Sequence, residues 1–73
     1  MTVTDHQISG TTMSEIANKI RETRLNAGWT QHELAERAAV SRPTIARIER
    51  GYDISTATLK KVAASLGLKV ELR

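Results

Sequence analysis

Apolar residues between positions 14 and 67 recur every three or four residues in four consecutive segments, which predicts four amphipathic helices. The first predicted helix begins with Ser14 as its N-cap and ends near Gly28, where a left-handed backbone is easily adopted. Its inward face carries Ile16 and Ile20. We therefore expect a first helix of about 13 residues.

The clearest local pattern lies at residues 30–33 (TQHE), which have the form of a capping box. In this motif the Thr30 hydroxyl accepts a hydrogen bond from the Glu33 N–H, and the Glu33 carboxylate accepts one from the Thr30 N–H. Trp29 before the cap and Leu34 after it form a predicted hydrophobic staple. A second helix, only about two turns long, is therefore expected to begin here.

Two further N-caps, Ser41 and Ser55, begin the third and fourth predicted helices. Pro43 is tolerated in the first turn of the third helix, where its missing N–H leaves no hydrogen bond unmade. Gly51 ends the third helix, and Gly67 ends the fourth. The predicted inward positions are Ile45 and Ile48 in the third helix and Leu59, Val62, Ala63 and Leu66 in the fourth.

Both ends of the chain depart from this helical pattern. Residues 1–13 are rich in Thr, Ser, Gly and Gln and show no apolar period, so we predict a flexible N-terminal tail. Residues 68–73 alternate apolar and charged side chains, which predicts a strand with one buried face. We find no partner for this strand within the chain and expect it to pair with its copy in a homodimer; a frayed terminus is the alternative. The predicted dimerisation side chains are Leu68, Val70 and Leu72.

The composition describes one small domain of 73 residues without cysteine. A chain of this size buries a modest core and has no disulfide to supplement it, so oligomerisation is the expected source of added stability. No segment reaches the roughly 18 apolar residues of a membrane span, and the first residues lack the pattern of a secretory leader. We therefore expect a cytoplasmic protein.

The net charge of +3 is unevenly distributed along the chain. Residues 37–61 hold six Lys or Arg and two Asp or Glu, a local charge of +4. A basic segment on an otherwise balanced chain suggests a polyanionic partner. The alternative is a solvated helix face without a binding role.

The two short central helices predict a rigid pair with one free face. Ala35 is small enough for close approach, and Val40, Ile45 and Ile48 can pack the two helices together. A single exposed helix of this kind fits the major groove of DNA. The outward positions of the third helix and its cap are Ser41, Arg42, Pro43, Ala46, Arg47 and Arg50.

Four segments together resemble the Cro/CI (XRE) helix-turn-helix family: residues 28–31 (GWTQ), 33–35 (ELA), 40–45 (VSRPTI) and 48–51 (IERG). The resemblance covers residues 15–67. It implies an all-α, lambda-repressor-like domain of four to five helices, here followed by a short C-terminal strand that pairs in a dimer. Ala39 departs from the family, which usually has glycine in the turn; left-handed alanine costs about 1 kcal/mol, so we expect strain there.

The resemblance also implies which residues contact palindromic double-stranded operator DNA. Arginine is the best bidentate partner of guanine, so Arg42 and Arg47 are the expected principal readers. Arg24 and Glu49 correspond to an internal ion pair of the family. The implied base contacts are Ser41, Arg42, Pro43, Ala46 and Arg47, and the implied phosphate contacts are Gln31, Thr44, Arg50 and Lys60.

The C-terminal strand and residues 28–31 are most similar to HipB-like antitoxins, and HigA-like antitoxins share much of the pattern. This similarity implies a repressor that also neutralises a HipA-like kinase toxin. A stand-alone regulator and a protein-interaction module that binds little DNA are the alternatives. We expect no enzyme, cofactor or metal site, because the sequence has no nucleophile with a base and neither His6 nor His32 has metal-ligand spacing.

Overall fold

A computed structural model describes residues 7–9 and 12–71, with the side chains of residues 12–69. This part of the chain forms four α-helices and two short β-strands, so the predicted all-α architecture with a C-terminal strand is confirmed. The helices are α1 (Met13–Asn26), α2 (Gln31–Ala38), α3 (Arg42–Glu49) and α4 (Thr56–Ser65), and the strands are β1 (Gln7–Ser9) and β2 (Lys69–Glu71).

One apolar core joins all four helices. Its centre consists of side chains with no or almost no exposure to solvent, and the predicted inward positions of every helix contribute to it. Trp29 and Leu66 are partly buried at its margin. The fully buried side chains are Ile20, Leu34, Ile45, Ile48 and Val62, and Ile16, Ala35, Ala38, Leu59, Ala63 and Leu68 complete the cluster.

The first helix begins two residues earlier than expected, so the prediction of Ser14 as its N-cap is wrong. Thr12 is the N-cap: its hydroxyl accepts from the Glu15 N–H at 3.2 Å, and its own N–H donates to the Glu15 carboxylate at 3.0 Å. This is a capping box, and it takes Met13 out of the predicted tail and into the helix. Of the predicted tail, residues 1–6, 10 and 11 lie outside the described residues.

The predicted capping box of α2 is present. The Glu33 N–H donates to the Thr30 hydroxyl at 3.1 Å, and the Thr30 N–H donates to the Glu33 carboxylate at 2.8 Å. The hydrogen bonds from Thr30 lower the pKa of Glu33. The stabilisation from this carboxylate is therefore complete above the ordinary glutamate pKa of about 4.3 and is lost as the pH falls through the lowered value. Ser41 and Ser55 cap α3 and α4 as predicted.

The turn between α2 and α3 has the left-handed backbone that we expected at Ala39, with φ 58° and ψ 44°. Left-handed geometry lets the chain reverse while two backbone hydrogen bonds close the end of α2. The Ala39 N–H donates to the Glu36 carbonyl at 3.2 Å, and the Val40 N–H donates to the Ala35 carbonyl at 3.0 Å. The turn keeps its shape despite the cost of placing a Cβ there.

The C-terminal strand has a partner within the same chain, so the expectation that it lacks one is wrong. Strands β1 and β2 pair in parallel, with Gln7 opposite Lys69 and Ser9 opposite Glu71. A three-residue strand such as β1 is too short to show an alternating period, which is why the sequence predicted only a tail at residues 7–9. None of the helices in the described part of the chain is long and apolar enough to cross a bilayer.

Leu68, a predicted dimer contact, instead lies in the core of the single chain. It is 7% exposed and belongs to the helical core, and its N–H donates to the Ala63 carbonyl at 2.8 Å. Leu68 therefore contributes to the fold of a single protomer. The side chains of Val70 and Leu72, the other two predicted dimer contacts, lie outside the described residues.

Replacing Ala39 with glycine is expected to stabilise the domain by about 0.5 kcal/mol, because relief of left-handed strain exceeds the added entropy of the unfolded chain. The matched control is Ala64→Gly on the exposed face of α4, which should destabilise by roughly 0.5–1 kcal/mol. Urea unfolding followed by circular dichroism measures both changes. Equal destabilisation by the two glycines would contradict the assigned strain.

Candidate nucleic-acid interface

Helix α3 lies with one face in the core and the other in solvent. Ile45 and Ile48 are completely buried, whereas Arg42, Pro43 and Arg47 on the opposite face are exposed. Eight residues give α3 a length of about 12 Å, enough for two turns of side chains along a groove. The predicted free face is therefore present, and it presents arginines from both turns.

The smaller residues predicted to contact bases lie at the beginning of α3 and in its middle. The Ser41 hydroxyl accepts from the Thr44 N–H at 3.3 Å, and it shares a 2.8 Å hydrogen bond with the Thr44 hydroxyl. Pro43 is exposed, and Ala46 is partly buried. Ser41 and Pro43 flank Arg42 at the beginning of the helix, and Ala46 lies one turn further along.

A buried ion pair fixes the position of α3 relative to α1. Arg24 Nε donates to Glu49 Oε2 at 2.7 Å, and Arg24 Nη2 donates to Glu49 Oε1 at 3.0 Å. The two side chains are only 9% and 4% exposed. Arg24 Nη1 also donates to the Trp29 carbonyl at 2.8 Å, which ties the turn after α1 to the same group.

The Glu49 carboxylate favours the charged form of Arg24. The hydrogen bond to Glu49 raises the pKa of Arg24 above its ordinary value, against the opposing effect of burial. Arginine is already charged at every pH at which the protein is folded. Arg24 therefore keeps its positive charge over the whole working range.

Gln31 extends this buried pair to the surface, a connection that the sequence analysis missed. Its Nε2 donates to Glu49 Oε1 at 3.2 Å, and its Oε1 accepts from Arg42 Nη1 at 3.2 Å. The amide orientation follows from its partners, because a carboxylate only accepts and a guanidinium only donates. Arg24, Glu49, Gln31 and Arg42 thus form a continuous polar chain from the core to the exposed end of α3.

Two arginines lie over aromatic rings. The Arg37 guanidinium carbon is 4.2 Å from the centre of the Trp29 ring, and that of Arg47 is 5.9 Å from the centre of the Tyr52 ring. Trp29 is partly buried against the core, in agreement with its predicted structural role. Tyr52 is 51% exposed, and the sequence analysis had assigned it no role.

The residues predicted to contact phosphates lie on α2, on α3 with its C-cap, and on α4. Arg50 is exposed at the C-cap of α3, and Lys60 is exposed on α4. Thr44 and Arg47 line an open cleft of about 440 Å³ between the turn and the loop that precedes α4. Across the part of the chain that the structure describes, no group of three or more His, Cys, Asp or Glu side chains is placed to hold a metal ion.

Replacing Glu49 with glutamine is expected to lower the free energy of unfolding by about 3 kcal/mol, because the buried Arg24 guanidinium loses its counter-charge. Glu22→Gln, on the exposed face of α1, is the matched control and should change stability by less than about 0.5 kcal/mol. The double variant Arg24→Met/Glu49→Met should recover most of the loss, because it leaves no unpaired charge. Urea unfolding distinguishes these cases, and a loss below about 1 kcal/mol for Glu49→Gln would show that the pair is not tightly coupled.

Comparison with known proteins agrees with this geometry. A helix-turn-helix family model, HTH_3, matches residues 20–72. An HTH-type transcriptional regulator from Methanothermobacter thermautotrophicus is 47% identical over 49 residues, which cover 66% of this chain and 71% of the relative. The antitoxin HipB from Escherichia coli K12 is 35% identical over 60 residues, which cover 81% of this chain and 68% of HipB.

The similarity extends to three-dimensional structure and to part of a longer relative. The crystal structure of a hypothetical transcription factor from Neisseria superposes with a TM-score of 0.73 at 32% identity, covering 80% of this chain and 68% of that one. The chain spans about half, 51%, of a hypothetical transcription factor from Neisseria meningitidis, with 35% identity over 54 residues and 73% of its own length. The chain belongs to the helix-turn-helix family of DNA-binding transcription regulators.

Proposed function

We propose that the protein is a sequence-specific transcriptional repressor that binds a palindromic operator as a homodimer. The observation that carries this proposal is the exposed arginine face of α3, held on a rigid helix pair by the buried network of Arg24, Glu49 and Gln31. A single helix of this kind fits the major groove, where base edges differ for every base pair.

The two arginines of this face are the proposed principal base readers. Arg42 and Arg47 each present a planar guanidinium that can donate two hydrogen bonds to guanine O6 and N7. Gln31 restricts the conformations of the Arg42 side chain, because Gln31 Oε1 accepts a hydrogen bond from Arg42 Nη1. Ser41, Pro43 and Ala46 make shorter, weaker contacts in this proposal.

The proposed phosphate contacts are four residues on α2, on α3 with its C-cap, and on α4. Gln31 is the first residue of α2, where free backbone N–H groups and the helix dipole favour an anion, and its amide retains a second N–H after bonding Glu49. These contacts position the protein without reading sequence. The four residues are Gln31, Thr44, Arg50 and Lys60.

The proposed homodimer uses the strand that ends the domain. A two-stranded ribbon such as β1 and β2 is marginal alone, and its outer edge presents unpaired backbone groups. Pairing of β2 with β2 of a second copy would extend the ribbon across a two-fold axis. Val70 and Leu72 are the proposed side-chain contacts. The two recognition helices would then reach successive major grooves, about 34 Å apart.

The experiment that tests this function begins with a duplex selected by the full chain from a randomised pool. Arg42→Ala and Arg47→Ala are each expected to lower the preference for the selected duplex over random DNA by about tenfold or more, because a bidentate guanine contact is lost. Arg21→Ala, exposed on α1, removes the same charge away from α3 and should change binding less than about twofold. Fluorescence anisotropy at about 150 mM salt measures the DNA affinity of the parent chain and of the three variants.

Two accompanying measurements test the dimer on the same samples. Light scattering should give twice the 8.1 kDa mass of one chain, and footprinting should protect two half-sites related by symmetry. Failure of the full chain to prefer any duplex over random DNA would refute the repressor. Protection of a single half-site by a monomer would refute the palindromic arrangement alone.

The similarity to HipB favours a second, finer role. We propose that the protein is also the antitoxin of a toxin-antitoxin operon and neutralises a HipA-like kinase toxin. The 35% identity to the antitoxin HipB over 81% of this chain supports it. The similarity to the HTH-type transcriptional regulator from Methanothermobacter supports the alternative of a stand-alone regulator.

The reading frame next to the gene for this chain separates the two roles. If that frame encodes a kinase, we expect the kinase to co-purify with this protein and its toxicity to disappear on co-expression. Arg42→Ala/Arg47→Ala should keep this protection while losing operator choice, if the two surfaces are separate. Loss of both activities together would favour a protein-interaction module, and an adjacent frame without a toxin would favour a stand-alone regulator.

A further inference from the structure

The end of α3 has a backbone geometry that brings two side chains together across the helix terminus. Gly51, just after the C-cap, is left-handed with φ 82°, and its N–H donates to the Ile48 carbonyl at 2.9 Å. The next N–H, that of Tyr52, donates to the Arg47 carbonyl at 3.1 Å. These two bonds are the pair that defines a Schellman motif.

This motif sets Tyr52 against Arg47. A Schellman turn brings the second residue after the C-cap next to the third residue before the C-cap. With Arg50 as the C-cap, these residues are Tyr52 and Arg47. The usual contact at these positions is apolar. Here the guanidinium carbon of Arg47 lies 5.9 Å from the centre of the Tyr52 ring, within the range of a cation–π interaction.

The Tyr52 ring is the aromatic neighbour of this guanidinium. Within the described residues, no carboxylate oxygen lies within 4.0 Å of Arg47. Asp53 lines the same cleft as Arg47, so an Arg47 side chain released from the ring has a carboxylate competing for it. Tyr52 is half exposed and Arg47 is exposed, so a ligand can reach the guanidinium.

We propose that Tyr52 is a positioning residue that holds the Arg47 guanidinium on the exposed face of α3 and so determines selectivity for the guanine that Arg47 reads. This inference rests on the function proposed above. The ring attracts the guanidinium across 5.9 Å and so favours this rotamer of Arg47, while the guanidinium N–H groups remain available for guanine O6 and N7. Tyr52 acts through Arg47 and requires no DNA contact of its own.

The test compares three full-length chains on the duplex that the parent chain selects from a randomised pool. Tyr52→Ala removes the ring and is expected to weaken binding about two- to fivefold. Tyr52→Phe keeps the ring and should bind within about twofold of the parent. Because Tyr52 neutralises no phosphate in this proposal, the salt dependence of binding should be the same for all three chains.

A double-variant cycle separates positioning from a general structural effect. In an Arg47→Ala background, Tyr52→Ala should cause no further loss, because the residue that it positions is absent. Urea unfolding of each chain shows whether the variants remain folded at the binding temperature. Binding is also measured on duplexes in which each G·C pair is altered in turn. Tyr52→Ala should lose most discrimination at the same G·C pair at which Arg47→Ala loses it.

Several results would overturn the inference. Binding by Tyr52→Ala equal to that of the parent, or an equal loss in the Arg47→Ala background, would show that Tyr52 does not act through Arg47. A large loss for Tyr52→Phe would assign a direct hydroxyl contact instead. If the parent chain selects no duplex, the proposed repressor is refuted and the inference with it. If the parent selects a duplex and Tyr52→Ala binds it equally well, only the inference is refuted.

Discussion

The bidentate ion pair between Arg24 and Glu49 is the constraint on which the rest of the structure depends. It joins the last turn of α1 to the last turn of α3, and its third hydrogen bond holds the Trp29 carbonyl in the intervening turn. Two charges removed from water are costly unless their geometry is good, so the helices that carry them have few alternative positions. We infer that the pair fixes the orientation of α3 more than it adds to net stability.

The buried ion pair is connected to the surface by Gln31, whose side-chain amide has both a donor and an acceptor. Gln31 donates to Glu49 and accepts from Arg42, which neither a carboxylate nor an ammonium side chain could do. Arg42 is thereby connected, through Gln31, to the buried Glu49 carboxylate. Arg47, one turn further along, has a different support, the ring of Tyr52 beyond the helix end.

The helices were predictable because their boundaries depend on neighbours three or four residues apart. Capping boxes, left-handed turns and the apolar period act within this distance, so the ends of α2, α3 and α4 followed from the sequence. The beginning of α1 did not follow, because Thr12 and Ser14 are both good caps. Burial of Met13 against the core favours the earlier one.

By itself, the sequence determined the four helices and their inward faces, since these depend on local backbone preference and on an apolar period. The left-handed turn at Ala39 was implied by the resemblance to the Cro/CI family, because alanine alone does not favour that backbone. Only the tertiary structure decided three further features: the parallel pairing of β1 with β2, the burial of Leu68 in the protomer core, and the bridge from Glu49 through Gln31 to Arg42. The physical reason is separation along the chain. Gln31 lies 18 residues from Glu49 and 11 from Arg42, and such contacts form only after the helices have packed and fixed the directions of their side chains.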